Sequence, residues 1–420
     1  MQLNKINQQA FKGIDGGVTA PKGYLAAGVH VAVKESNLTK KDIALIYSKV
    51  PAVAAGVFTT NKVQAAPVLV SGQHLTVAGG KCQAIVVNSG NANACTGAQG
   101  LQDAHAMAGA AAAALGLQEE QVLVASTGVI GLPLPMDRVL PGISQAAAAL
   151  STEGSKAAAE AIMTTDTFMK ETALELEVEG VTITLGAIAK GSGMIHPNMA
   201  TMLSFVTTDA AIEAMALQKA VRQAVGKSFN MITVDGDTST NDTLLVLANG
   251  EAGNRVLEEN SPGYPLFCQA LTQICIEMAK LLARDGEGAT KLMEVQVCGA
   301  LTDKDASQAA ITVAKSSLVK AALFGSDANW GRILCAVGYS GAEMEPALVD
   351  LFLETPQKDL VEQMMAQGTP LAFDEEKARQ ILDGKTVVIR VELNQGQGEA
   401  TAWGCDLTYD YVKINADYRT

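Results

Sequence analysis

Apolar and polar positions alternate with changing period along the chain. Short apolar runs at 42–49, 53–59, 83–88 and Gln121–Ser126 predict strands. Between them, the Ala-rich stretch Leu101–Leu117 predicts a helix with Gly116 near its end. A second Ala-rich helix is predicted over 152–163, with Ser151-Thr152 placed to cap it. Ala173–Val178 alternates strictly, Glu179-Gly180 supplies a turn, and Val181–Ala189 returns, which predicts a hairpin. The hairpin delivers the chain to a loop, 190–201, interrupted by Gly and Pro, and then to a strand at Met202–Thr207. Beyond it the pattern predicts an amphipathic helix at Ile212–Lys227 and strands at Asn230–Asp235 and Thr243–Ala248. Helices near 264–283, 306–323 and 355–367 follow, with strands near 292–298, 386–393 and 400–411. The series predicts a mixed α/β (α+β) fold with helices packed on largely antiparallel sheets. No internal repeat or low-complexity linker divides it.

The chain has 420 residues, enough for two average domains or one large α/β unit. With 48% hydrophobic and 18% charged residues, it has the apolar content for a substantial core. Aromatics are only 4%, so that core must be built from Ala, Val, Leu, Ile and Met, with 39 glycines permitting close approach.

The net charge of −13 argues against a nucleic-acid backbone or an anionic membrane surface as a partner. The excess is lopsided: 13 basic and 14 acidic residues up to position 200, then 18 and 30. No apolar stretch is expected to span a membrane, and the N-terminal residues lack the apolar segment of a signal peptide. The seven cysteines are scattered without a CxxC, which fits a reducing, cytoplasmic setting rather than a disulfide framework.

Familiar chemical motifs are missing. His30, His74, His105 and His196 are far apart and show no HxH or HExxH spacing, so no catalytic metal is expected. Gly226-Lys227-Ser228 imitates the tail of a phosphate-binding loop, but the earlier glycine would fall at Val221. There is no GxSxG elbow and no complete dinucleotide fingerprint, and no bound cofactor is expected.

The segment with chemical potential is Lys190-Gly-Ser-Gly-Met-Ile-His-Pro-Asn-Met-Ala-Thr201. Its glycines permit unusual backbone angles, Pro197 stiffens it, and Thr201 stands at the mouth of the apolar run Met-Leu-Ser-Phe-Val. A threonine hydroxyl needs a base to become a nucleophile. A threonine at a new N-terminus carries one, its α-amine, with an unperturbed pKa of roughly 7.7–8.0. That chemistry requires scission between Ala200 and Thr201. On spacing alone, an ordinary strand start that happens to carry a threonine is the simpler alternative.

The same segment resembles the processing motif of the ornithine acetyltransferase (glutamate N-acetyltransferase) family. So do Ala55-Gly-Val-Phe-Thr-Thr-Asn61, Asn88-Ser-Gly-Asn-Ala-Asn-Ala-Cys-Thr-Gly97, Ser126-Thr-Gly-Val-Ile-Gly131 and Met163-Thr-Thr-Asp-Thr167. Val234-Asp-Gly-Asp-Thr-Ser-Thr-Asn-Asp242, Arg284-Asp-Gly-Glu-Gly-Ala-Thr-Lys291, Gly325-Ser-Asp-Ala-Asn-Trp-Gly-Arg332 and Ile414-Asn-Ala-Asp-Tyr-Arg-Thr420 continue the match in order to the last residue.

The resemblance implies self-cleavage into an α chain, 1–200, and a β chain, 201–420, on a fold shared with self-processing aminopeptidases. It implies transfer of acetyl from N-acetylornithine to glutamate through an acetyl-Thr201 ester, in arginine biosynthesis. Thr201 would be the nucleophile, and Thr127 with Gly128 the oxyanion hole. Lys190, Glu287, Asn415, Thr420 and Thr167, or Thr165 in its place, would contact substrate. The implied assembly is a heterotetramer of two α and two β chains. Whether acetyl-CoA serves as a second acetyl donor is left open, and no basic phosphate-cradling motif decides it. Two other readings compete: a hydrolase on the same scaffold, and a small-molecule binding protein that never cleaves.

Overall fold

The structure is a computed structural model that describes residues 11–196 and 202–417. Three sheets carry the fold. The central sheet runs, edge to edge, Phe11–Ile14, Lys170–Val178, Val181–Lys190, Leu203–Thr208, Thr243–Ala248 and Val53–Phe58. All its pairings are antiparallel except Leu203–Thr208 with Thr243–Ala248. A second sheet holds Tyr24–Val29, Ile43–Ser48, Ala84–Asn88 and Val122–Ser126, the last two parallel. A third, six-stranded sheet is formed after position 290, with Leu292–Ala300 between Thr386–Glu392 and Gly398–Cys405.

The layers follow from two-sided strands. In Thr243–Ala248, Leu245 and Leu247 face the second sheet, where they pack with Ile46, Ile85 and Leu123. Their neighbours Leu244 and Val246 face the opposite way, toward the helices Ala214–Lys227 and Tyr264–Arg284. Strands apolar on both faces must be covered on both, and here they are. The outer face of the second sheet is closed by Gly97–Leu115 and Met136–Ala148, through Met107, Ala111, Val139 and Ile143. The central order is therefore helix, sheet, sheet, helix, a mixed α/β architecture in which antiparallel pairing predominates. Alanine-rich helix faces let the layers approach closely, as the aromatic-poor composition requires.

The hairpin lies where expected, as Lys170–Val178 and Val181–Lys190, with positive φ at Glu179 (50°) and Gly180 (79°) as a tight two-residue turn demands. Other expectations are corrected. Residues 355–367 are not a helix: Val361–Ala366 pairs with Asp350–Glu354, because a sheet edge was available to them. Asn230–Asp235 is not a strand, but a short 3-10 turn, Phe229–Met231, and an irregular segment that joins the third sheet only through the bridge from Ile232 to Trp403. Residues 306–323 are two helices, Asp303–Lys315 and Ser317–Phe324, separated at Ser316, whose hydroxyl caps the second. The strand expected to reach 411 ends at Cys405, and Tyr409–Asp417 is helical. Among the described residues, one helix, Tyr264–Arg284, is long and apolar enough to cross a membrane, contrary to expectation. Its apolar side is buried between the central and third sheets, through Phe267, Leu271, Ile274, Met278 and Leu282.

Candidate active site

Two strand ends, several turns and the helix Tyr409–Asp417 converge on one cleft. Val181–Lys190 ends with Lys190 buried at 3% exposure. Val122–Ser126 of the second sheet ends beside it and runs into Thr127 and Gly128. The Lys190 ammonium donates to Thr127 Oγ1 at 3.3 Å. Lys190, Thr127, Gly128, Glu287 and Asn415 line the open cleft, together with Thr164, Thr165 and Asn241. Its mixed polar and apolar lining suits a small polar molecule.

Gly128 has φ +133°, and a Cβ there would meet the Gly90 carbonyl carbon at 2.3 Å. Only glycine lets this turn lie flat against the strand-end loop at Gly90-Asn91. Asn241 knits the same corner, donating to the carbonyls of Ala92 at 2.6 Å and Ser126 at 2.8 Å.

The loop after Lys190 is pinned residue by residue. Gly191 N–H donates to Asp166 at 2.7 Å, and Ser192 Oγ to the Asp285 carbonyl at 2.6 Å. Met194 and Ile195 donate their N–H groups to the two oxygens of Asp235, at 2.6 and 2.9 Å. His196 stands 3.2 Å from Thr233 Oγ1, and burial, then Lys315, push its pKa down to about 4. After the junction, Met202 N–H donates to Asp242 at 3.0 Å and Thr243 N–H to the Met202 carbonyl at 3.0 Å. Ala200 and Thr201, the expected scission site and nucleophile, lie outside the described residues, as does Thr420. Both flanks of the junction are nonetheless held by an aspartate, half-buried Asp235 before it and buried Asp242 after it.

Glu287 sits opposite Lys190. Its N–H donates to the Ser192 carbonyl at 3.0 Å, and its carboxylate accepts from Asn415 Nδ2 at 2.9 Å. A Cβ on Gly193 would lie 2.4 Å from Glu287 Oε2, so this glycine makes room for the carboxylate. The C-terminal helix is seated by Thr408, whose hydroxyl donates to the Gly288 carbonyl at 2.8 Å. Asn415 is thus brought to the cleft by a turn-on-helix contact.

Thr167 lies elsewhere. Its N–H and hydroxyl both donate to Asp285, while Thr164 and Thr165 face the cleft. Asp285 belongs to a buried trio that the sequence reading did not identify: the fully buried Lys170 ammonium contacts Asp166 at 2.7 Å and Asp285 at 2.5 Å. The two aspartates lie within the quoted MTTDT and RDGEG segments, but nothing local reveals that they share a cation.

The charges set the site's character. Burial pushes the Lys190 ammonium down from its usual pKa, and Lys170 adds to this, against support from Asp166, Glu287 and Asp242. Burial also opposes ionisation of Asp166, but Lys190 and Lys170 outweigh it and bring its pKa down to about 2. Asp242 is raised well above the carboxylate range by burial, and its Oδ2 has no hydrogen-bond partner among the described residues.

A cleft with a buried cation, a tethered carboxylate and a hydroxyl beside a glycine turn has the fittings of a small-molecule transferase. The profile of the ArgJ family matches residues 25–420, and the chain belongs to that family. The arginine biosynthesis bifunctional protein ArgJ of Symbiobacterium thermophilum is 61% identical over 405 residues, 96% of this chain and 99% of that protein. That of Shouchella clausii is 51% identical over the full length of both. Among solved structures, ArgJ from Bacillus halodurans matches 52% of this chain and all of its own at 49% identity, with a TM-score of 0.49. Ornithine acetyltransferase from Mycobacterium tuberculosis, solved with ornithine, matches 44% of this chain and 98% of its own at 42% identity, with a TM-score of 0.41.

Proposed function

We propose that the cleft around Lys190 and Thr127 is where this chain, an ornithine acetyltransferase of arginine biosynthesis, moves acetyl from N-acetylornithine to glutamate. The observation that carries the reading is the meeting of Lys190 with Thr127, with Glu287 and Asn415 on the same cleft and the held loop leading to Thr201.

Thr201 Oγ attacks the Ala200 carbonyl, the peptide nitrogen takes a proton and leaves, and water opens the resulting ester. The products are a 1–200 chain ending in a carboxylate and a 201–420 chain with a free Thr201 amine. In each transfer cycle that amine accepts the Thr201 hydroxyl proton as the oxygen attacks the acetyl carbonyl. The Thr127 hydroxyl and the Gly128 N–H hold the developing oxyanion. Ornithine leaves with the proton on its α-nitrogen, and the Thr201 acetyl ester remains. Glutamate's amine then attacks the ester and releases N-acetylglutamate, restoring the threonine.

Lys190 pairs with the substrate α-carboxylate, and Glu287, held by Asn415, receives the ornithine side-chain ammonium. Thr165, which faces the cleft, fits the threonine contact better than Thr167, whose hydroxyl is committed to Asp285. Thr420 is the remaining substrate contact. The assembly is two α and two β chains in the cytoplasm. Relatives carry the name bifunctional, and acetyl-CoA as a second donor is decided by the assay below.

The test is the intact mass of the denatured protein beside a Thr201→Ala variant, followed by assay with N-acetylornithine plus glutamate, with and without acetyl-CoA. Fragments ending at Ala200 and starting at Thr201, absent from the variant, are expected together with glutamate acetylation. An uncleaved wild-type chain that still transfers acetyl would remove Thr201 from the mechanism. Hydrolysis of acetylornithine without glutamate acetylation would favour the hydrolase.

A further inference from the structure

On the far side of the second sheet, remote from the cleft, three side chains from three elements point at one another. His74 comes from the helix Ala66–Val77, His105 from the helix Gly97–Leu115, and Glu119 from the 3-10 turn Glu119–Gln121. One candidate donor atom from each lies within 4.8 Å of the other two. His74 Nε2 is 3.7 Å from Glu119 Oε1, His105 Nδ1 is 2.7 Å from the same oxygen, and the ring centroids are 5.6 Å apart.

We infer that this cluster is a binding site for a zinc-class divalent transition metal, with His74 Nε2, His105 and Glu119 as protein ligands and water completing the shell. Two imidazoles and a carboxylate are a donor set that zinc accepts, and three protein ligands leave a position for water. Magnesium and calcium, which prefer all-oxygen shells, are poor matches to it.

The second observation concerns the other nitrogen of His74. Nδ1 lies 2.8 Å from the Val122 carbonyl, which can only accept, so Nδ1 carries the proton and donates it. In the neutral ring this leaves the lone pair on Nε2, which faces Glu119, on a side chain only 2% exposed. A histidine whose outer nitrogen is locked on a backbone carbonyl while the inner one faces other donors has the orientation metal sites impose. The remaining ligands, His105 and Glu119, are 39% and 40% exposed, so an ion can reach the site and their rotamers can open to receive it.

Ligands about 2.0–2.2 Å from a tetrahedral zinc stand roughly 3.3–3.6 Å apart. The His74 to Glu119 spacing is already close to that. The His105 to Glu119 contact has to widen by roughly 0.6–0.9 Å, exchanging its hydrogen bond for two bonds to the ion, and the widest donor pair, up to 4.8 Å apart, has to close. The ion would clamp two helices to the turn that opens the strand Val122–Ser126.

The test is a titration of EDTA-stripped protein with Zn²⁺ against a chromophoric chelator, with Co²⁺ absorption as a report on coordination. Wild type is compared with His105→Ala, Glu119→Gln and, as a control at an unrelated exposed imidazole, His30→Ala. All carry Cys95→Ser and Cys335→Ser, because these two exposed thiols would otherwise bind zinc themselves. Expected are one ion per chain, a rise in Tm with saturating Zn²⁺, and affinity at least about tenfold weaker in His105→Ala and Glu119→Gln but unchanged in His30→Ala. Circular dichroism of the variants checks that the half-exposed positions leave the fold intact. Absence of one-to-one binding in the wild type, or binding that neither ligand substitution weakens, overturns the assignment. Equal binding of Mg²⁺ overturns it as well.

Discussion

Lys190 Nζ and Thr127 Oγ1 lie 3.3 Å apart although 63 positions separate them, and their contact joins the central sheet to the second one. It brings a cation that can anchor a carboxylate next to a hydroxyl that can face an oxyanion.

Lys190→Gln is expected to lower kcat/KM by about 10–150-fold, the worth of one charge-assisted hydrogen bond of about 1.5–3 kcal/mol. Burial, then Lys170, lower the Lys190 pKa, so its cationic form is lost earlier than an ordinary lysine's as pH rises. The alkaline limb of kcat/KM should therefore fall below about 10.4, and Lys190→Gln should abolish that limb. A limb unchanged in the variant would assign it to another group.

Gly128→Ala forces a side chain onto the Gly90 carbonyl carbon in a backbone conformation that side chains rarely adopt. We expect kcat to drop by about 10²–10³ with cleavage slowed alongside, because in the proposed mechanism both steps share one oxyanion hole. Thr127→Val should behave similarly, whereas Thr127→Ser should retain most activity. Single-turnover acetylation of the enzyme reads this directly.

Lys170→Met leaves Asp166 and Asp285 buried with no shared cation, which is expected to cost about 3–5 kcal/mol in urea unfolding. Adding Asp285→Asn should restore part of the loss. Full stability in the single variant would show that water or a shifted proton replaces the lysine.

Acid should act through the same trio. The Asp166 pKa is brought down to about 2, because Lys190 and Lys170 outweigh burial. The folded form therefore binds its proton more weakly than the unfolded chain does, and stability rises with pH across that interval. The contribution is fully present above about pH 4, the unfolded carboxylate value, and is lost as pH falls toward about 2. Urea midpoints between pH 5 and about 2 should fall less steeply in Asp166→Asn than in the wild type.

Asn415→Ala frees Glu287 from its 2.9 Å tether without removing its charge. KM for acetylornithine should rise several-fold with kcat little changed, since one neutral-donor hydrogen bond is worth about 1 kcal/mol. Glu287→Gln should raise it further and weaken inhibition by ornithine.

The parts of this arrangement that were legible in the sequence are those whose signals are local. The Glu179-Gly180 turn, the alanine-rich helix at Gly97–Leu115 and the two-sided strand Thr243–Ala248 carry their reasons within a few residues. Val361–Ala366 does not: its composition suits a helix, and only a partner strand makes it an edge. The site divides in the same way. Lys190, Gly128 and Glu287 stand in glycine-marked turns that draw the eye. Asp235 and Asp242, which grip the loop's two flanks, are legible only as acidic positions in a turn-rich segment. Lys170 reads as an ordinary strand-start lysine, because the carboxylates that occupy it arrive from 4 and 115 positions away.

The order of the central sheet bears on what scission can do. Leu203–Thr208 and Thr243–Ala248 lie between Val181–Lys190 on one side and Val53–Phe58 on the other. Strands that follow the junction are thus enclosed on both edges by strands that precede it. A cut between Ala200 and Thr201 creates two new ends but exposes no unpaired ladder, and neither piece can depart without tearing open two ladders at once. Topologically the cut chain is a mortised joint: two polypeptides by covalent count, one unit by folding, expected to melt in a single transition and to survive dilution that would part any ordinary complex.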